Sequence, residues 1–385
     1  MRTADLWRPY HQDFLTDPFP IYRKIRQRDP VFQALSGDYV VMDYENCAKI
    51  LSDKSCEVGN RSEWMNRFAS YASKKELDFS ILKRIVSGML LNMNGDAHMK
   101  ARRAVMENWP SKERLDSLVE ECVEKVMPVN EGPHDLVLQV TKKLPVMVIS
   151  RLMNLPEEGS MLHYQESINL VQILDPYLRY NEIEKISESG IRLHQFILSH
   201  IERIPLVDHQ NISNEEKVFL ALFLFIAGFE TTSALLSNCL YYLLKNPVLI
   251  SELNEDEKLN KYINEILRLY SPVHILGRKN TKTIKMNGVT IPENSTLTLC
   301  IGSANRDENV FEHADQLDYK RKRIEHLSFG YGLHHCLGDY LARLEAKILI
   351  KKFLPLLDRI ELIDEPVRTG KLAIRNFSKM EVELS

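Results

Sequence analysis

The sequence predicts a mainly α protein with small β-sheets. Apolar residues recur three or four positions apart in several long segments, among them 19–28, 98–108, 112–127 and 144–153, and this is the spacing of one helix face. Segments with the pattern of a strand are few and short. Because no internal repeat, low-complexity tract or linker interrupts the 385 residues, the sequence predicts a single domain over residues 1–385.

The clearest strand signal is a hairpin. Residues 283–286 and 289–291 have the composition of strands, and Asn287-Gly288 separates them. Both turn residues tolerate positive φ, so the pair predicts a type I′ turn. Residues 39–42 and 295–300 predict two further strands.

Composition and charge exclude several classes of protein. Hydrophobic residues make up 44% and charged residues 27% of the chain, which is typical of a soluble globular protein with a large core. Lys and Arg total 50 against 53 Asp and Glu, so net charge gives no global attraction to nucleic acid or to an anionic membrane. Residues 1–20 lack the apolar core of a signal peptide, and the longest apolar run, 218–228, is too short to span a bilayer. We therefore expect a cytoplasmic protein with no nucleic-acid or membrane partner.

One long helix is predicted to lie in the centre of the molecule. It begins at the capping-box sequence 213–216 (Ser-Asn-Glu-Glu) and continues to Asn246-Pro247. Since it is apolar nearly all round, it must be buried. Gly228, Glu230 and Thr231 are unfavourable in such a helix, because Gly weakens it by about 1 kcal/mol and a buried carboxylate without a partner costs far more. Locally unfavourable residues in a central helix indicate a functional site.

The strongest chemical signal is the segment 329–338, Phe-Gly-Tyr-Gly-Leu-His-His-Cys-Leu-Gly, which precedes an amphipathic run over 339–353. Glycines on both sides of Cys336 describe a tight loop that delivers a thiol to the start of a helix, where backbone N–H groups stabilise a thiolate. Two other interpretations stay open from the residues alone. One is a buried structural cysteine in a Gly-rich turn, and the other is a zinc site built on residues 334–336.

The segment resembles the haem-thiolate signature of cytochromes P450, F-x-x-G-x-[HR]-x-C-x-G, at every fixed position. Three further signatures of that family occur in the expected order. Residues 98–102 resemble H-x-x-x-R, 227–231 (Ala-Gly-Phe-Glu-Thr) resemble A-G-x-[DE]-T, and 265–268 (Glu-Ile-Leu-Arg) resemble E-x-x-R. The similarity covers essentially the whole chain and implies the cytochrome P450 fold, a triangular prism of helices around a haem.

The resemblance also implies roles for individual residues. Cys336 corresponds to the thiolate ligand of the iron of haem b, and Glu230 and Thr231 correspond to the acid–alcohol pair that delivers protons during oxygen activation. Four residues correspond to donors that hold the haem propionates: His98, Arg102, Arg278 and His334.

Each of these motifs also has a plainer interpretation. His98 and Arg102 would lie on a solvated helix face in an ordinary surface helix. Glu265 and Arg268 are structural rather than catalytic in the family. In the plainer interpretation they form an ion pair on a helix surface, which would stabilise the helix by about 0.2–0.5 kcal/mol.

The implied activity is that of a monooxygenase that inserts one oxygen atom of O2 into a small or medium apolar organic substrate. By resemblance, the substrate pocket is expected to be lined by residues 85–92, 223–228, 273–276 and the turn near Phe377, with His274 as a polar anchor. Haem-thiolate enzymes that desaturate or couple rings oxidatively, a haem-thiolate sensor, and a helical protein without haem are the alternatives.

The chain contains no flavin or iron–sulfur segment. Electrons are therefore expected from a separate ferredoxin or flavodoxin with an NAD(P)H-dependent reductase, and a monomer is expected. The basic run 320–323 (Lys-Arg-Lys-Arg), with Arg102 and Arg103, predicts a basic face for such an acidic partner. A solvated loop is the alternative interpretation of that run.

Overall fold

The computed structural model describes residues 2–128, 130–175, 178–322 and 324–385, without the side chain of Ser62. They form two compact units. Unit 1 comprises Met1–Glu57, Val119–Leu144 and Thr231–Ser385, and unit 2 comprises Val58–Leu118 and Pro145–Glu230.

Helices dominate, as the apolar periodicity predicts, and the segments predicted at 19–28, 98–108, 112–127 and 144–153 are all helical. The α-helices are α1 Thr3–Leu6, α2 Gln12–Thr16, α3 Phe19–Arg28, α4 Tyr44–Ser52, α5 Arg61–Trp64, α6 Ala69–Lys75, α7 Ser80–Gly88, α8 Gly95–Glu107, α9 Lys112–Val126, α10 Lys143–Leu152, α11 Glu157–Leu162, α12 Tyr164–Val171, α13 Ile183–His200, α14 Asn214–Ala227, α15 Glu230–Lys245, α16 Val248–Glu252, α17 Asp256–Leu269, α18 Ile301–Ala304 and α19 Asp339–Phe353.

The strands of the described chain all belong to unit 1. They are β1 Val31–Gln33, β2 Tyr39–Val41, β3 Cys56–Glu57, β4 Gly132–Asp135, β5 Ile275–Asn280, β6 Ile284–Met286, β7 Val289–Ile291, β8 Thr296–Cys300, β9 Ile360–Leu362, β10 Val367–Arg368, β11 Phe377–Lys379 and β12 Glu381–Leu384. A five-stranded sheet has the order β1-β2-β8-β5-β3, in which only β2 and β8 are parallel. A three-stranded sheet, β4-β12-β9, includes the last strand of the chain.

The predicted hairpin is present as β6 and β7, with Met286 opposite Val289. The turn residues Asn287 and Gly288 have φ of 47° and 77°. Positive φ at both positions is the mark of a type I′ turn, so that prediction is confirmed.

The core of unit 1 forms between the five-stranded sheet and α4. Val41, Leu299 and Ile50 pack in one buried apolar cluster, and Asp43 caps α4 by accepting a hydrogen bond from the Asn46 N–H at 2.9 Å. The loop before Cys336 packs against the other end of α4, at Leu51.

The central apolar segment is helical over Asn214–Lys245, and 78% of its most apolar 18-residue stretch is buried. It is long and apolar enough to cross a membrane, but this degree of burial is that of a core helix in a soluble protein. The predicted capping box is present, since the Glu216 N–H donates to Ser213 Oγ at 3.2 Å and the Ser213 N–H donates to Glu216 Oε2 at 2.6 Å. Regular helix is interrupted at Gly228 and Phe229, between α14 and α15, where the sequence predicts an unbroken helix.

Candidate active site

The loop before α19 holds Cys336 at the surface of unit 1. Gly330 and Gly332 have φ of 68° and 71°, a left-handed conformation that favours glycine. A Cβ on Gly332 would stand 2.7 Å from the carbonyl oxygen of Leu51, so the close approach to α4 also requires glycine. The Cys336 N–H donates to the Phe329 carbonyl at 2.8 Å, which closes the loop three residues before α19 begins.

Cys336 differs from the other cysteines in its exposure. The remaining five are buried: Cys47, Cys56, Cys122, Cys239 and Cys300. A buried structural role therefore fits those five and not Cys336. The zinc interpretation receives no support either, because within the described ranges no group of three or more His, Cys, Asp or Glu side chains could hold a metal ion.

The residues around Cys336 tie the loop to the first turn of α19. His335 lies 3.6 Å from Asp339, measured from Nε2 to Oδ2, and Arg343 donates to the same carboxylate. His334 ends a short 3-10 turn over Gly332–His334 and is partly buried. These contacts hold the backbone of the loop while the thiol stays accessible.

Arg278, on β5 of unit 1, is a buried cation. It is 7% exposed, and its guanidinium donates to the carbonyl of Gly277 at 2.8 Å. Burial lowers the pKa of Arg278 to about 10, so the group is still charged at neutral pH. Among the described residues no carboxylate lies within ion-pair distance of it. Since a buried charge is costly without a counter-charge, this position calls for an anion from outside the chain.

His98 and Arg102 lie one turn apart on α8 in unit 2. His98 is 3% exposed, which contradicts the solvated-face interpretation for that residue. Burial, followed by the positive charge of Arg102, lowers the pKa of His98. The two side chains therefore share one helix face, with His98 favoured in its neutral form.

Glu230 is the first residue of α15 and is 7% exposed, and Thr231 follows it with partial burial. A Cβ on Gly228, just before them, would stand 3.1 Å from the Ile149 side chain and 3.2 Å from the Leu224 carbonyl. Packing within unit 2 is thus a reason for glycine at the helix interruption.

Tyr164, at the start of α12, is a neighbour of Glu230 that the sequence analysis missed. Burial and the negative charge of Glu230 raise the pKa of Tyr164, and its ring centroid lies 5.6 Å from that of Phe229. The two residues are 66 positions apart in the chain, and no pattern in the sequence relates them.

The E-x-x-R pair is buried, contrary to the surface-pair interpretation. Glu265 and Arg268 are both 0% exposed in their side chains. Arg268 also donates to the carbonyl oxygens of Asn305 at 2.9 Å and Ala314 at 2.7 Å. The pair therefore joins α17 to the chain that leads from α18 toward the Cys336 loop.

The basic run does not form the predicted basic face as a whole. Arg321 is 9% exposed in its side chain and donates to Glu265 at 3.0 Å, while Lys320 pairs with Glu252 at 2.9 Å. Lys322 is exposed, and Arg323 lies outside the described residues. Half of the run thus neutralises carboxylates of the protein itself.

His274, the predicted polar anchor, is buried among aromatic residues. It is 1% exposed, its ring centroid lies 5.5 Å from Phe19, and its Nδ1 lies 3.4 Å from the Tyr22 hydroxyl. A Cβ on Gly302 would stand 2.7 Å from the same nitrogen. Burial, together with nearby arginines, lowers the pKa of His274 well below its usual value, so the ring is neutral.

The predicted site residues are divided between the two units. Unit 1 holds Thr231, Arg278, His334 and Cys336, and unit 2 holds His98, Arg102 and Glu230. Their assignment to a common site rests on the sequence signatures and stays a prediction.

Comparisons with known proteins agree with those signatures. The family model described as Cytochrome P450 matches residues 172–358. The chain is 29% identical over 350 residues to Cytochrome P450 119 of Sulfolobus acidocaldarius, covering 89% of this chain and 93% of that protein. It is 26% identical over 363 residues to the cytochrome P450 monooxygenase PikC of Streptomyces venezuelae, covering 89% and 84%.

Solved structures share the fold over nearly the full length. P450BioI, in complex with an acyl carrier protein ligated to hexadec-9Z-enoic acid, has a TM-score of 0.86 at 24% identity and covers 97% of this chain and 99% of its own. Epothilone B-bound cytochrome P450epoK has a TM-score of 0.85 at 23% identity, covering 98% and 99%.

Proposed function

Because the chain belongs to the cytochrome P450 family of oxidoreductases, we propose that it is a haem-thiolate monooxygenase with Cys336 as the ligand of the haem iron. The observation that carries this proposal is the exposure of the Cys336 thiol at the start of α19, while the other five cysteines are buried. Its substrate is a small or medium apolar organic molecule, and it inserts one atom of O2.

The residues present fit a haem b. A haem brings two carboxylates, and Arg278 is a buried cation with no carboxylate partner among the described residues. A propionate would supply that counter-charge through a charge-assisted hydrogen bond. We assign Arg102, His98 and His334 to the propionates as well, because they match the family's signatures.

When bound, a thiolate-ligated haem supplies oxygen binding and O–O bond cleavage. The chain's part is to hold the group and to move protons without admitting bulk water. The Thr231 hydroxyl donates a proton in the site, and the buried Glu230 carboxyl replenishes it. Tyr164, whose pKa is raised by burial and by the charge of Glu230, is the neighbour that we assign to positioning that carboxyl.

We further propose that electrons come from a separate ferredoxin or flavodoxin with an NAD(P)H-dependent reductase. Arg321 pairs with Glu265, and Lys320 pairs with Glu252. Lys322 is exposed and is the residue of the basic run that we expect to attract an acidic partner. We also propose a cytoplasmic monomer in which residues 1–385 form one cytochrome P450 domain, because the relatives and neighbours match over most of the chain.

The reduced protein exposed to carbon monoxide tests the ligand. A strongly red-shifted Soret band is expected from the wild type and from Cys239→Ala, a control at a buried cysteine. Cys336→Ala should lose that band together with product formation. A colourless wild type, or a red-shifted band that survives in Cys336→Ala, would refute the proposal.

A further inference from the structure

Unit 1 contains a cavity of about 430 Å³ that none of the predicted site residues lines. Its walls come from the start of α3, the carboxyl ends of α15 and α17, and the residues around β10 and β11. This volume lies within the usual range of about 300–1,000 Å³ for small-molecule sites.

The cavity carries an excess of positive charge. Its charged lining residues are Arg23, Arg306, Arg368, Arg375, Asp17 and Asp315. Asp315 is already engaged, because Arg306 pairs with it at 3.0 Å and Arg23 contacts it as well. The other charged residues of the lining are Arg368, Arg375 and Asp17, so the cavity as a whole keeps an excess of two positive charges.

Arg375 is 5% exposed and has no carboxylate partner among the described residues. It donates from Nη1 to the Leu15 carbonyl at 2.7 Å and from Nη2 to the Thr16 carbonyl at 2.9 Å, at the carboxyl end of α2. These bonds give the residue a structural role, and its nearest opposite charge, Asp17, is not within ion-pair distance. Burial accordingly lowers the pKa of Arg375 to about 10.

Arg368 has no such structural role. Within the described part of the chain its side chain forms neither an ion pair nor a hydrogen bond, and the guanidinium lies over the ring of Phe377 at 4.1 Å from the centroid. With one face on that ring, the N–H groups along its edge stay available. A planar fork of donors is the arrangement that binds phosphate or carboxylate oxygens in pairs.

Aromatic rings form the rest of the relevant wall. Tyr242 and Tyr270 are stacked, with centroids 4.1 Å apart and planes 18° apart. The Arg306 guanidinium lies 3.6 Å from the Phe19 centroid and 5.0 Å from that of Tyr270. A flat, electron-rich wall of this kind favours a planar ring in the ligand.

We propose that this cavity is a second ligand site for an organic phosphate monoester that carries an aromatic ring. Such a monoester has a charge of about −1.5 to −2 at pH 7, which matches the excess of two positive charges in the lining. Its phosphate meets Arg368 and Arg375, and its ring packs against Tyr242 and Tyr270.

Calorimetric titration of the haem-loaded protein in phosphate-free buffer tests the site, with phenyl phosphate as probe. The wild type should bind it, and should bind phenol and inorganic phosphate at least about tenfold more weakly. Arg368→Gln removes a half-buried guanidinium that forms no hydrogen bond within the described residues, so the fold should be kept. The variant should bind phenyl phosphate about tenfold or more weakly than the wild type does. The matched control is Arg28→Gln at the exposed end of α3, which should bind as the wild type does.

Three outcomes would overturn the proposal. The first is no binding of phenyl phosphate up to about 10 mM, a level that corresponds to a negligible affinity. The second is equal affinity in Arg368→Gln and the wild type with a shift of the Soret band, which would place the probe at the haem. The third is equal affinity for inorganic phosphate, which would remove the aromatic part of the ligand. Binding of the probe without a change in the Soret band would show a site away from the haem. The result therefore does not depend on whether Cys336 is the haem ligand.

Discussion

Glu265 and Arg268, one turn apart on α17, share two hydrogen bonds although neither side chain is exposed: Nε to Oε2 at 2.8 Å and Nη2 to Oε1 at 2.7 Å. Breaking a buried pair by removal of one member typically costs about 3–5 kcal/mol, and without Arg268 the Glu265 carboxylate would keep only Arg321 as a cationic donor. The pair therefore anchors the segment between α18 and the Cys336 loop, to whose backbone carbonyls Arg268 donates.

We predict that Arg268→Ala lowers the free energy of unfolding by about 3–5 kcal/mol, as measured by urea denaturation. Besides losing Glu265, the variant leaves two backbone carbonyls without their donor. Arg192→Ala is the control, because Arg192 pairs with Glu166 at 3.2 Å while 46% exposed, and exposed pairs contribute little. Equal losses in the two variants would contradict the structural role of Glu265 and Arg268.

Arg278→Gln should have the opposite effect on the protein without haem. Its charge is buried without a carboxylate in the described chain, so truncation relieves a desolvation cost and should leave the apoprotein at least as stable. Haem affinity should fall by about 1.5–3 kcal/mol, the worth of a hydrogen bond to a charged group, with an unchanged carbon monoxide spectrum. Urea unfolding of the apoprotein measures the stability, and haem titration measures the affinity. A destabilised apoprotein with normal haem affinity would show that Arg278 does not bind a haem propionate.

The contrast between these two arginines shows what the sequence can and cannot predict. Local features were predictable, because the glycines around Cys336, the Asn287-Gly288 turn and the capping box at Ser213 depend on neighbours in the chain. The burial of Arg268 was not, since an i,i+3 pair looks the same on a surface helix. The crowding that favours glycine at position 228 comes in part from Ile149, which is 79 positions away.

The same limit explains the basic run. Four consecutive cations predict an exposed loop, but Arg321 reaches a carboxylate, Glu265, that lies 56 residues earlier in the chain. Tyr164 escaped notice for the same reason, because its partner Glu230 is brought to it only by the fold.

Thr231→Ala should uncouple turnover and leave haem and substrate binding intact. Without the hydroxyl, reducing equivalents should go to peroxide or water, so product per reduced nicotinamide falls. Glu230→Gln should slow turnover by about 10²–10⁴-fold if the carboxyl acts as a general acid. Thr232→Ala is the neighbouring control and should keep wild-type coupling. Wild-type coupling in Thr231→Ala, with a wild-type rate in Glu230→Gln, would show that the pair does not deliver protons and is structural.

Tyr164→Phe tests whether Tyr164 positions Glu230. Loss of the hydroxyl beside the carboxyl should lower the rate of product formation by less than Glu230→Gln does, and should change its pH profile. In the double variant with Glu230→Gln the tyrosine should no longer matter. If Tyr164→Phe lowers the rate by the same factor in both backgrounds, the two residues act independently.

Glu345, on α19, should make the protein less stable as the pH rises. Its side chain is 1% exposed, Oε2 has no hydrogen-bond partner among the described residues, and burial raises the pKa of Glu345 well above its ordinary value of 4.5. The folded state therefore keeps a proton that the unfolded chain releases above about pH 4.5. Its stability contribution is complete below that pH and is lost progressively up to the folded-state pKa, by up to about 1.4 kcal/mol per pH unit.

Glu345→Gln replaces the protonated carboxyl with a neutral group of similar shape. Its free energy of unfolding should be close to that of the wild type at pH 4.5 and should exceed it increasingly toward pH 8, as measured by urea denaturation at each pH. Glu202→Gln, at an exposed position, should stay parallel to the wild type throughout. A constant difference between Glu345→Gln and the wild type from pH 4.5 to 8 would mean that the buried carboxyl is ionised in the folded protein and has a counter-charge.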